Sequence, residues 1–147
     1  MEPFPALAAT GPLHDAEKEY AEARLTAALA RGSALPSYTD LDVKAASWLC
    51  GLAEAATEMR RHVLDRLREG NLDRASVLLD AMDAVYGLLV SMDYPDALTG
   101  GLRRQVDALR AVLERTRGDL TTAMLQSRLQ ASLDRHLGSG PAPSAVD

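Results

Sequence analysis

Isoleucine is absent from this chain and valine is sparse, while leucine, alanine, arginine and glutamate dominate. That composition removes most strand formers and leaves the residues that lose least on entering a helix. The apolar residues recur at three- and four-residue steps, the period of a helix face. An all-α fold follows: an antiparallel helical bundle of about four to five helices. With 147 residues, the chain is long enough to bury roughly two-thirds of its unfolded surface around one core.

Residues 1–12 carry three prolines and read as an extended lead-in. A first helix is expected from about His14 or Asp15, through Tyr20, Ala23 and Ala27, to a glycine cap at Arg31-Gly32. Asp40 or Asp42 is expected to cap a second helix with the stripe Leu49, Leu52, Ala56, Met59, Val63 and Leu67, ending at Gly70. The first two helices should pack antiparallel across a short connection containing Pro36. Asn71 or Asp73 starts a third helix that runs to about Met92, before Tyr94-Pro95. From Leu102 no proline interrupts the pattern, so one long C-terminal helix is expected, bent near Gly118. The helical domain thus spans 13–137, and the Gly-, Pro- and Ser-rich tail 138–147 reads as disordered.

Several function classes are set aside at once. The single Cys50 forms no intramolecular disulfide, no Cys/His cluster has zinc spacing, and no apolar run approaches the ~18 residues of a membrane span. The N-terminus lacks the basic and apolar regions of a signal peptide, so a cytoplasmic location is expected. Cys50 borders an apolar stripe and reads as a structural thiol. A net charge of −5 rules out binding nucleic acid by bulk charge and leaves only a local basic surface.

Two pairs of carboxylates stand out. Glu54 and Glu58 are four residues apart on the second helix, and Glu19 and Glu22 three apart on the first. Such spacings put side chains on one face, roughly 5–6 Å apart at Cβ. Each pair is thus able to share a hard cation, Mg²⁺ or Mn²⁺, through oxygen ligands alone. On a helical wheel Glu54 and Glu58 lie opposite the apolar stripe with Arg61, Asp65 and Glu69, the pattern of an ordinary solvated face. Glu22 differs, because Leu25 and Leu29 continue its side of the helix and call for burial or pairing of the carboxylate.

Among the basic residues, Arg60-Arg61 and Arg103-Arg104 have no acid between them and are the candidates for phosphate contact. Arg103, Arg110 and Arg117 recur every seven residues but interleave with Asp107 and Glu114, which is equally a salt-bridged face. His62 follows Glu58 by four residues, one more than the Glu-x-x-His of di-iron bundles, and reads as a surface histidine. His14 and His136 belong to helix ends, and Trp48, Tyr20 and Tyr86 to the core.

Taken in order, a series of segments resembles the translin family over about residues 10–125. They are Glu19-Tyr20-Ala21-Glu22-Ala23, Leu35-Pro36, Trp48-Leu49-Cys50-Gly51-Leu52-Ala53-Glu54 and Glu58-Met59-Arg60-Arg61. Tyr94-Pro95-Asp96-Ala97-Leu98, Leu102-Arg103-Arg104-Gln105-Val106-Asp107 and Glu114-Arg115-Thr116-Arg117-Gly118-Asp119-Leu120 complete it. The resemblance implies helical subunits assembled into a hollow oligomer that binds single-stranded RNA or DNA. In catalytic members it implies Mg²⁺-dependent endoribonuclease activity. It assigns metal ligation and catalysis to Glu19, Glu22, Glu54 and Glu58, and an internal chamber gives their polar face somewhere to point. The family pattern has Asp at Glu54, often Lys at Gln105, and one or two helices ahead of the first acidic motif. Those helices are expected from a longer translin-like subunit in a hetero-oligomer, with a homo-oligomer as the other assembly. Leu25 and Leu29, lacking such cover, are then expected to form a partner surface.

Overall fold

A computed structural model describes residues 11–92 and 101–138. Most of the expected lead-in, the Tyr94-Pro95 break and the tail after Gly138 lie outside the described residues. Four helices make up the rest: α1 (Gly11–Arg31), α2 (Ala45–Arg68), α3 (Leu72–Val90) and α4 (Leu102–Gly138). The fold is all-α, with the expected long last helix.

Helix ends are set by local chemistry. α1 stops where Gly32 takes a φ of 70°, and Ser33 N–H donates back to the Ala28 carbonyl at 3.0 Å. α2 ends in the same way at Gly70, with φ 75°. Asn71 then caps α3, its side chain accepting from the Arg74 N–H at 3.0 Å. The start of α2 departs from expectation. Neither Asp40 nor Asp42 caps it. Asp40 instead closes a turn by accepting from the Ser37 backbone and hydroxyl, both at 2.8 Å, which holds its carboxyl below the usual range. The cap comes from a neighbouring helix: Glu17 of α1 accepts from Lys44 N–H at 3.3 Å and from Ser47 Oγ at 2.8 Å. A carboxylate there also meets the positive end of the α2 dipole.

α1 and α2 run in the same direction, which corrects the antiparallel expectation. His14 meets Ser47, Lys18 meets Glu54 further along, and Ala30 at the end of α1 accepts from Arg74, just past the end of α2. Residues 32–44 therefore travel back along the bundle instead of making a short turn. They are pinned by the Trp48 indole N–H donating to the Pro36 carbonyl at 2.9 Å and by buried Leu41. α3 returns antiparallel along α2 after the tight turn at Gly70-Asn71. α4 runs parallel to α2, since Glu54 meets Gln105 and Arg60 meets Thr116.

α2 is the central helix, packed against α1, α3 and α4. Its Leu52, Ala53, Ala55, Ala56, Met59 and Val63 join Leu25, Met82, Leu109 and Leu113 in one buried core. Leu25 and Leu29 lie inside that core, 0% and 8% exposed, so they are not the partner surface their strip promised. Cys50 is buried, as a structural thiol should be. Tyr20 is not a core residue: it is 44% exposed, with the Arg24 guanidinium over its ring.

Candidate functional site

Only part of the polar face of α2 looks out at water: Arg61 and Glu69 are exposed, while Glu54 and Glu58 are partly covered. Because helices flank α2 on three sides, Glu54, Thr57 and Glu58 fall between α1 and α4, where they line a cleft of about 320 Å³ with Glu22, Ala53, Gln105 and Ala108. A helical wheel knows only its own helix, which is why these residues resembled a solvated face.

Gly51 makes the closeness possible. A Cβ on Gly51 would lie 2.9 Å from both the Glu22 nitrogen and the Lys18 carbonyl oxygen, closer than side chains tolerate. With hydrogen there instead, the α2 backbone rests directly on α1, and Glu54, nearly one turn further on, reaches Lys18 and Glu22. Glu54 Oε1 accepts from Lys18 Nζ at 3.1 Å and from Gln105 Nε2 at 2.8 Å.

The electrostatics follow from this crowding. Burial first, then contact with the Glu54 carboxylate and the charges of Glu54 and Glu58, pushes the Glu22 carboxyl above its usual range, against a smaller opposing pull from Lys18. The hydrogen bond to Glu54 raises the Lys18 ammonium in turn. Glu58 lies at the cleft edge, 3.4 Å from Arg61. Glu19 is exposed and does not line the cleft. Of the four glutamates singled out by motif, three are brought together and the fourth stands one turn away.

Among the described residues no three acidic, histidine or cysteine side chains are drawn tightly enough to grip an ion as they stand. Protein cations hold the carboxylates instead, Lys18 on Glu54 and Arg61 on Glu58. The donor set nevertheless suits a hard cation, being all oxygen, partly desolvated and excess in negative charge. One more feature of the cleft points the same way: the Gln105 side-chain oxygen is buried without a hydrogen-bond partner among the described residues.

The basic residues divide. Arg60 belongs to the fold: its guanidinium lies 2.8 Å from Asp119 and donates to Thr116 Oγ1 at 3.1 Å, tying α2 to α4. Arg61, adjacent in sequence, is 77% exposed at its side chain, and Arg103 and Arg104 are exposed as well. Arg117 is salt-bridged to Asp83 and Glu114, the pattern expected of a solvated face.

No family model matches the chain. An uncharacterized protein of Methanocaldococcus jannaschii, MJ0175, is 31% identical over 126 residues, 85% of this chain and 56% of that protein. Among solved structures, AfC3PO in complex with duplex RNA superposes with a TM-score of 0.71 at 34% identity, covering 77% of this chain and 59% of that one. The crystal structure of AfC3PO gives 0.69 at 34% identity, with 77% and 60% covered. The chain belongs to the translin superfamily. It spans little more than half the length of the relatives it matches. Within the superfamily fold, the acidic motifs of this translin-like chain are the segments that α1 and α2 press together at Gly51. Two residues that contact Glu54 lay beyond sequence reasoning. Lys18 directly precedes the first motif, where an isolated lysine carries no signal of its own, and in sequence Gln105 marks only the loss of a charge.

Proposed function

We propose that this chain is an RNA-binding, Mg²⁺- or Mn²⁺-dependent endoribonuclease subunit of the translin kind, acting within a homo-oligomer or beside a longer translin-like subunit. The convergence of Glu22, Glu54 and Glu58 in one cleft carries this reading. Two successive helices have no structural need to bring three carboxylates to one cleft, since the repulsion costs stability unless a cation or proton relieves it. Glu22, Glu54 and Glu58 would hold the ion, with Glu19 one turn outward on the same helix. A bound divalent cation supplies Lewis-acid polarisation of a phosphoryl oxygen and an acidified water. Lys18 would neutralise Glu54 in the ion's absence, and whichever cleft glutamate is left out of the coordination would take the proton of the attacking water. Arg103, Arg104 and Arg61, the last exposed despite its 3.4 Å pair with Glu58, are the cations for the phosphate backbone, while Arg60 is held between α2 and α4 by Asp119. Single-stranded substrate is the expectation from the resemblance; the AfC3PO complex contains duplex RNA.

Labelled single-stranded and duplex RNA, incubated with the full chain in Mg²⁺ or EDTA beside a binding assay, tests this. Glu22→Ala and Glu58→Ala are expected to abolish cleavage while RNA binding is kept or improved, because fewer carboxylates repel the phosphates. Unchanged cleavage in both variants overturns the assignment. A second reading, a non-catalytic RNA-binding subunit, is favoured by Lys18, whose ammonium already provides Glu54 with a counter-charge. It predicts binding that EDTA does not alter and no cleavage.

A further inference from the structure

Gln105 enters the cleft from α4, facing α2, and its Nε2 donates to Glu54 Oε1 at 2.8 Å. That bond decides the orientation of the amide, since a carboxylate oxygen accepts only from the NH₂ end. The carbonyl end is therefore committed elsewhere, and there Oε1 is buried with no hydrogen bond from any described residue. The other polar side chains lining the cleft offer it no free donor. Glu22, Glu54 and Glu58 are acceptors when ionised, and the hydroxyl of Thr57 already donates to the Ala53 carbonyl at 2.9 Å. A buried acceptor without a donor is unfavourable unless something positive reaches it. Lys18 Nζ is engaged at Glu54. Amide carbonyls and carboxylates together are a usual ligand set for a hard divalent cation.

We propose that Gln105 is a neutral ligand, its side-chain carbonyl oxygen sharing a divalent cation with Glu22, Glu54 and Glu58. This rests on the metal reading above and adds a fourth residue, from a third helix. The amide then acts at both ends, Nε2 orienting Glu54 and Oε1 meeting the ion. A neutral ligand also adds an oxygen without adding to the repulsion among the three carboxylates.

The test uses the full chain and Mn²⁺ alone, following free Mn²⁺ by electron paramagnetic resonance. Wild type is expected to bind Mn²⁺, Glu58→Gln to weaken binding, and Gln105→Leu to weaken it about tenfold or more. Circular dichroism confirms that each variant is folded. A second measurement needs no variant in the titrated sample: Mg²⁺ added to ¹³C-labelled wild type is expected to shift the Gln105 Cδ resonance. Mn²⁺ binding lost in Glu58→Gln but unchanged in Gln105→Leu overturns the role of Gln105 alone. A Gln105 Cδ resonance unmoved by saturating Mg²⁺ does the same, leaving only its bond to Glu54. A wild-type chain that takes up neither ion overturns this proposal together with the metal reading.

Discussion

At the scale of single residues, Glu22 shows what burial beside another carboxylate does. Its carboxyl is raised above the usual 4.5, so between those two values the folded chain binds more protons than the unfolded one. The stability this group contributes is complete below the unfolded value and is lost as pH rises through the folded value. Glu22→Gln, which keeps the shape without the charge, is therefore expected to raise the melting temperature at about pH 7 in EDTA. The gain should shrink toward about pH 4, where wild-type Glu22 is itself protonated. Thermal melts by circular dichroism across that range check it, and a variant less stable than wild type at neutral pH contradicts it. From Leu25 and Leu29 further along its face, the sequence called for Glu22 to be partly buried or paired, and it is partly buried. It offered no way to separate Arg60 from Arg61, because adjacent helical residues point about 100° apart and only the position of α4 decides which one finds Asp119.

At the scale of elements, the contact between α1 and α2 governs the site. Gly51 inside a helix costs about 1 kcal/mol relative to alanine by propensity alone, so its presence calls for a packing reason. The atoms facing it are mostly backbone, the Glu22 nitrogen and the Lys18 carbonyl, which cannot swing aside as a side chain does. Gly51→Ala is expected to destabilise the chain by about 1–3 kcal/mol despite the better helix former, and Gly51→Val by more. Urea denaturation measures this, and a stabilised Gly51→Ala would show that the helices separate freely. The relative direction of these helices was open to a sequence argument that the stripes alone do not supply. An apolar stripe gives a face but no polarity. Residues 32–44, however, reach about 40 Å when extended, enough to run back along an α1 about 30 Å long.

At the scale of the molecule, α4 outruns its partners. Its 37 residues extend about 55 Å, and past Leu120 no residue is buried. On that projecting part Leu125, Leu129, Leu133 and Leu137 are 58%, 62%, 54% and 80% exposed. They recur every four residues, and exposed apolar strips of this kind mark association surfaces. The proposed assembly thus draws on this strip instead of Leu25 and Leu29. Sedimentation at micromolar concentration should show Leu129→Lys/Leu133→Lys shifted toward monomer with its helical signal kept. Leu25→Lys/Leu29→Lys should lose the fold itself, since those side chains lie in the core. A double variant at 129 and 133 that assembles like wild type removes the strip from consideration. Among the described residues no helix is long and apolar enough to cross a membrane.

Helix content, the glycine stops at Gly32 and Gly70, the long last helix and the pairing of motifs characteristic of the translin superfamily were all determined by the sequence. Each rests on local spacing or on the order of segments along the chain. Tertiary structure alone decided that Glu22, Glu54 and Glu58 share a cleft while Glu19 stands outside it, and that Arg60 is tied into the fold. It also decided that Lys18 and Gln105 belong to the site. These are contacts between residues tens of positions apart, fixed by how closely and in which direction helices pack, and no periodicity within one helix encodes the position of its neighbour.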